Sequence, residues 1–498
     1  MLGTVGKQSV MSFISAYSGL ILGILNKVFL FPLIFKDNDA YWGLLENFIS
    51  YATIIGALSH FGMPGVLRRF LPGLDQDRDK LYGFVLFVSA IGAFLILVAL
   101  VFLKPFLVDF IADQANDAAL VSEYYFLLVL LVIVMLFFEL GTAALVSNAK
   151  SHIPVFLNSV VFRLGVSFSI LALYLFQFSL ESFLYLYISL YILNLVLAIA
   201  FLWWRGLIAF NFSLKVEDPK GYMQFGFFAV FASSSGWIIN YVDAIFVGKY
   251  IGLALIPILA ISKYIISVMY IPARAVVNAS VPIISRAWKK NDMQALASIY
   301  KKTAITEIVV GGIIFTAIWI NIDLLLSLIP DKDFKEAKYL VLVLGFGRLA
   351  DLASGSNSSI IANSKYYRFI LISNLILMTF VLLLNIWLTP KYGLIGAALA
   401  LSLAIFINNV SMVIFLWIKE GLTPFSKGHI STILCLLPSA LFLATPFEFN
   451  FWVDVFIRNL LFLAIISALI FYFKPVAEID GFARAMGQKI SSVFRKIM

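Results

Sequence analysis

The stretch SNAKSHIPVFLNS, residues 147–159, sets asparagine, lysine and histidine into an otherwise apolar chain, and ANSKYYRFILISN, residues 362–374, nearly repeats it. A shift of 215 residues lays Asn148 on Asn363, Lys150 on Lys365 and Asn194 on Asn409, and also Leu184 on Leu399, Leu186 on Leu401 and Ile192 on Ile407. Leucines and isoleucines coincide often in so apolar a chain. Two asparagines and a lysine at one offset carry more weight, and they mark an internal duplication.

The surrounding composition fixes the solvent. With 498 residues, 62% of them hydrophobic, 13% charged and a mean hydropathy of +1.00, the chain holds more apolar surface than a water-soluble core could hide. A polytopic, all-α membrane protein follows. Transmembrane strands would be about ten residues long and alternate in polarity, whereas these apolar runs reach roughly 20 residues or more, the length of a helix across hydrocarbon. Fourteen spans are expected, from 9–35 at the start to 451–473 at the end. The first run is too long for a cleaved signal and is expected to be retained. Assigning the N-terminus and every second loop to one side gathers most of the 36 lysines and arginines there, so both termini are expected in the cytoplasm. The opening stretch, Asn148 to Pro154, then becomes a short cytoplasmic turn with Lys150 as anchor.

The offset carries span four onto span ten, so each copy holds six spans. An even number makes the copies parallel, related by an axis along the membrane normal, the arrangement expected for alternating access around a site near the midplane where the lobes face each other. The expected organisation is a six-helix lobe at 1–210, a second at 211–420, two additional spans at 421–474 and a cytoplasmic amphipathic tail at 475–498.

Three further stretches, DAYWGLLENFISYATIIGALSHFGMPGVLRRF at 39–70, IGLALIPILAISKYI leading into VPIISRAW at 251–288, and PKYGLIGAALALSLA at 390–404, resemble the oligosaccharide flippases of the Wzx (O-antigen) type. That superfamily also contains multidrug exporters and lipid II flippases. The resemblance implies movement of undecaprenyl-diphosphate-linked oligosaccharide across the bacterial inner membrane in polysaccharide or lipopolysaccharide biosynthesis, with a polysaccharide polymerase and glycosyltransferases as partners.

Charges inside the spans are costly and so point to cavities or partners. Counting down from the turns near Asp39 and Tyr250 at 1.5 Å per residue puts Lys27 and Lys263 roughly 13–15 Å below the periplasmic surface, close to the midplane. Lys263, Ser267, Tyr270 and Arg274, at steps of four, three and four, form a basic ladder on one helical face. Asn26, Asn240 and Arg348 complete the expected substrate-binding set. Lys27 is about 100° round from the Asn26 face, and a snorkelling lysine is the plain alternative for it. Glu46, Asp243 and Glu307 are candidates for ion coupling. Glu139 and Arg163 fall at one depth on neighbouring helices and are expected to pair. Arg348 with Asp351 and Asp454 with Arg458 have spacings that let each pair neutralise itself.

Other chemistries lack their residues. Cys435 has no partner for a disulfide or thiolate site, and His60 and His429 have no metal-ligand spacing, so neither a metal nor a cofactor is expected. No phosphate loop, HExxH or nucleophile elbow is present, which argues against an enzyme. The formal charge of +9 reads as membrane orientation and lipid contact and not as nucleic-acid binding. Three functions remain. A diphosphate-linked sugar needs cations in its cavity, a cation-coupled multidrug exporter needs acids, and a scaffold has no use for midplane charge. Span one holds no acid, and Lys27 is its one buried charge, which favours the flippase.

Overall fold

A computed structural model describes residues 2–473, apart from 37, 75–76, 209–215, 330–334, 427 and 433–450. Every regular element among them is a helix. Cys435, most of expected span thirteen and the 475–498 tail lie outside the described residues. The chain forms two compact units, one of Met1–Ile261, Ile329–Asp333 and Val381–Ala397, the other of Ser262–Leu328, Phe334–Phe380 and Ala398–Met498.

In the first unit α1 (Leu2–Ile24) runs into a π-helical turn, Leu25–Leu30, where the Phe31 N–H bonds the Asn26 carbonyl five residues back. The second element, α2 (Asp39–Ser59), breaks at His60–Gly62 before α3 (Met63–Phe70), which begins with Pro64 in its first turn. Gly62 sits at φ 72°, and a Cβ there would overlap the carbonyl of Gly226, so the break is held by backbone meeting backbone. Beyond it come α4 (Arg78–Phe102), α5 (Ala115–Ser147), α6 (Phe162–Phe176), α7 (Leu180–Trp204) and α8 (Pro219–Tyr250). A second π-helical turn, Leu157–Val161, leads directly into α6. In lipid, close packing rather than exclusion of water holds helices together, and small residues permit it. Ala143 and Ala144 of α5 and Ala198 of α7 accordingly share a core with Leu136, Leu140 and Leu202. At the end of α7, Trp203 and Trp204 are exposed with Arg205 over the Trp204 ring at 4.5 Å, a residue combination suited to a membrane–water interface.

The second unit is built from α9 (Ile256–Ser267) in part, α10 (Tyr270–Lys289), α11 (Met293–Ile320), α12 (Lys335–Ala353), the short α13 (Asn357–Ala362), most of α14 (Arg368–Glu420) and α15 (Phe451–Phe473). The single span expected at 252–285 is a bent pair, with 48° between Leu253–Ser267 and Tyr270–Lys289. The ladder from Lys263 to Arg274 therefore crosses a break, and the straight-helix argument for one face does not hold across it. The 53-residue α14 is interrupted at Gly393, with φ 61° and ψ −141°. A Cβ on Gly396 would overlap the Leu388 carbonyl, although a continuous helix would hold those residues roughly 12 Å apart. The chain thus reverses at PKYG, and α14 carries two of the expected spans.

Eight helices among the described residues are long and apolar enough to cross a membrane, nine with the bent pair. α2 and α12 are not in that set; Glu46 and Asn47 interrupt the apolar run of the first, and Lys335, Glu336, Lys338, Arg348 and Asp351 that of the second. The repeated asparagines behave alike. Asn148 ends α5 and donates from Nδ2 to the Ala144 carbonyl at 2.8 Å, and Asn363 ends α13 and donates to the Ser359 carbonyl at 2.8 Å. Each pairs with a carbonyl of its helix's last turn, where partners run short.

Candidate functional site

Two polar clusters lie within the helices, one in each unit. In the first, the π-helical turn carries Asn26 and Lys27 inward together, both buried. The 100° offset expected between them assumed regular α-helix, and the turn is not α-helical; such turns recur at functional sites. Lys27 Nζ forms an ion pair with Glu46 Oε1, the two side chains being 11% and 14% exposed. Trp42 Nε1 donates to the same oxygen at 3.3 Å, and the Phe31 ring lies 5.2 Å from the ammonium. Asn26 Nδ2 donates to the Arg163 carbonyl at 2.7 Å, and its Oδ1 accepts from Ser167 Oγ at 2.7 Å. The Arg163 guanidinium donates to the Gly19 carbonyl and occupies the space a Cβ on Gly23 would need. Gly23 precedes Lys27 by one helical turn, so the two cations are neighbours.

Arg163 and Glu139 do not pair, contrary to the depth argument. Glu139 Oε2 accepts from His60 Nε2 at 3.2 Å, and Oε1 lies 3.8 Å from Arg68. His60 is fully buried, and its Nδ1 accepts from the Gly62 N–H at 3.1 Å, which leaves the proton on Nε2 to bond Glu139. His60 therefore ties the α2–α3 break to α5. Equal depth fixed a height along the membrane normal but not which side of α5 faces Arg163.

The second cluster centres on Asp351. Its Oδ1 accepts from Asn409 Nδ2 at 2.9 Å and its Oδ2 from Tyr270 OH at 3.3 Å, with Arg348 Nη1 3.9 Å away. Arg348 lies over the Tyr270 ring at 4.1 Å and exposed Arg274 at 5.8 Å, so Tyr270 receives two cations on its π face. Asn357 Nδ2 donates to Asn409 Oδ1 at 2.9 Å. Lys263 is half-buried. Glu307 is buried beside Asp351, and its Oε1 has no hydrogen-bond partner.

The remaining candidates lie on α8. Asn240 is exposed and bonds the Gly236 carbonyl of its own helix at 2.7 Å, whereas Asp243 is fully buried, with Oδ1 accepting the Ala244 N–H at 2.9 Å. The Asp454–Arg458 pair forms as its spacing suggests, and Arg458 also donates to the Ile320 carbonyl at 3.0 Å. Asn409, Arg163 and Ser167 were not foreseen as site residues. Asn409 carried a usable signal, since a polar residue duplicated within an apolar helix needs a partner.

Known proteins agree with this architecture. The MatE family model matches residues 229–387. The Staphylococcus aureus capsular polysaccharide biosynthesis protein CapF is 25% identical over 187 residues, 37% of this chain and 47% of that protein, so the match spans about half of the relative. The lipid II flippase MurJ in an inward closed conformation superposes with a TM-score of 0.69 at 17% identity, covering 93% of this chain and 98% of that one. An inward-facing multidrug resistance MATE transporter of the MOP superfamily superposes at 0.56 with 11% identity, covering 83% and 93%. The chain has the helical membrane-transporter fold of MurJ and the MATE proteins.

Proposed function

We propose that this protein is a flippase that moves undecaprenyl-diphosphate-linked oligosaccharide across the bacterial cytoplasmic membrane by alternating access, and that it is a transporter with no catalytic activity. The observation that carries this reading is the pair of basic side chains, Lys27 and Arg163, brought together inside an apolar helical unit. Their charge suits a diphosphate, which offers several acceptor oxygens and negative charge at once. In this reading Lys27, Asn26, Lys263, Tyr270, Arg274, Arg348 and Asn240 meet the substrate during the cycle, and Glu46, Asp243 and Glu307 serve ion coupling. The chain crosses the inner membrane fourteen times with both termini cytoplasmic, as two parallel six-helix lobes, 1–210 and 211–420, two further helices at 421–474 and an amphipathic tail at 475–498. The likeness to CapF supports a polysaccharide pathway, with a polymerase and glycosyltransferases as partners.

A cation-coupled multidrug exporter is the second reading, favoured by the buried acid Glu307 and the MatE match. A lipid II flippase is a variant of the first, suggested by the likeness to MurJ. Proteoliposomes separate them. Undecaprenyl-diphosphate-linked oligosaccharide placed in the inner leaflet should become accessible to an external glycosidase when the protein is present, while a cationic dye should not be transported. Dye transport without oligosaccharide exposure reverses the assignment, and exposure of lipid II in place of oligosaccharide selects the variant.

A further inference from the structure

Arg163 has a position that structural pairing does not explain. The carboxylate expected to neutralise it, Glu139, is taken by His60 and Arg68. Among the described residues no carboxylate lies within ion-pair distance of Arg163, whose guanidinium bonds the neutral carbonyl of Gly19. Its backbone is fixed by Asn26, and Ser167, one turn further along α6, is fixed by the same side chain. The Arg163 guanidinium fills the space beside Gly23, one helical turn before Lys27, so a cation is held in place beside a second cation in a region where an unanswered charge is costly. Glu46 is the acid that meets Lys27, and it comes from a different helix, steadied by the indole of Trp42.

We propose that Glu46 is an internal counter-ion standing where an anionic phosphate head binds, and that Lys27 and Arg163 receive that head when Glu46 leaves. This rests on the diphosphate reading above and adds to it an internal counter-ion and an order of events. The substrate's phosphates replace the carboxylate on Lys27 and supply the negative charge that Arg163 lacks. Asn26 and Ser167 hold the arginine in position throughout. Departure of Glu46 from Lys27 removes the ion pair between α2 and the π-helical turn, so binding of the anion and loss of that tie become one step. An empty carrier keeps Lys27 neutralised by its own acid.

Trp42 reports the event, because it is fully buried and its indole bonds the Glu46 oxygen that pairs with Lys27. The full-length protein in nanodiscs is titrated with inorganic pyrophosphate, then with undecaprenyl diphosphate in the nanodisc lipid, while indole fluorescence is followed. Trp42→Phe subtracts the other eight of the nine tryptophans. Loss of the competing acid in Glu46→Gln should tighten pyrophosphate binding roughly tenfold, and loss of one charged contact in Arg163→Gln should weaken it by a similar factor, with Arg163→Lys between Gln and the native residue. The double exchange Lys27→Glu, Glu46→Lys keeps a buried pair and so controls for folding; it should no longer respond to either probe. A merely structural pair would leave the exchanged protein responding as the native one does, and that result overturns the proposal. Affinities unchanged in both Glu46→Gln and Arg163→Gln, with binding still lost in Lys27→Gln, overturn it while leaving the diphosphate reading intact. No response of the native protein to either probe removes both. The same order of affinities with lipid-borne diphosphate assigns the site to a lipid headgroup, whereas an order seen with free pyrophosphate alone makes the site one for a soluble anion and ends its role in flipping.

Discussion

Asn194 and Asn409 share one place in the duplication and differ in what they touch. Asn409 bonds Asp351, Asn357 and its own helix, while both polar atoms of Asn194 are buried without a hydrogen-bond partner. An unsatisfied buried amide costs about 1–3 kcal/mol, so Asn194→Leu should raise the thermal midpoint of the purified protein and Asn409→Leu should lower it. Equal shifts in the two variants would contradict this difference. The exchange Glu139→Arg, Arg163→Glu should not recover the membrane level lost in either single alanine variant, since each residue has its own partners. Quantitative immunoblotting of membranes decides it. Individual buried charges were legible in the sequence because lipid penalises them wherever they occur. Their partners were not, because counting from a turn gives depth and leaves rotation about the helix axis undetermined. The π-helical turn at Asn26 and Lys27 altered that rotation without any mark in composition.

At the scale of elements, apolar runs identified most helices, and the structure departs from the expected spans where a helix is broken. α2 and α12, both expected as spans, carry the ion-pair and Asp351 clusters. The bend after Ser267 was readable, since Pro272 has no N–H and its ring would meet the carbonyl of Val268 four residues back in a continuous helix. Gly393 was readable, since PKYG between two apolar runs demands a turn and its backbone lies where side chains are strained. Gly393→Ala should cost about 1–3 kcal/mol, although nothing would touch the added methyl, because the strain is purely conformational. Gly73 also has open space and no positive φ, so Gly73→Ala should leave the melting temperature unchanged. Scanning fluorimetry of the two variants isolates the backbone effect. A Gly393→Ala protein that melts like the native one would mean that the reversal is made elsewhere.

For the molecule as a whole, the proposed parallel repeats place both repeat turns in the cytoplasm, which is testable from outside the cell. Cysteines introduced at Asn148 and Asn363 in a Cys435→Ser background should both resist an impermeant thiol reagent applied to intact cells. Labelling of either from outside would exclude parallel repeats. The central claim is that basic groups within the helices hold an anionic substrate, and one experiment addresses it directly. In a strain lacking its flippase, surface glycan is measured per amount of membrane-inserted protein for Lys27→Gln with Lys263→Gln and for Lys27→Arg with Lys263→Arg. Glutamine keeps polarity and similar length but loses the charge, while arginine keeps the charge that phosphate requires. The glutamine pair should lower glycan by roughly tenfold or more, given the worth of a charged hydrogen bond, and the arginine pair should retain it. Near-normal glycan from the glutamine pair would contradict the account.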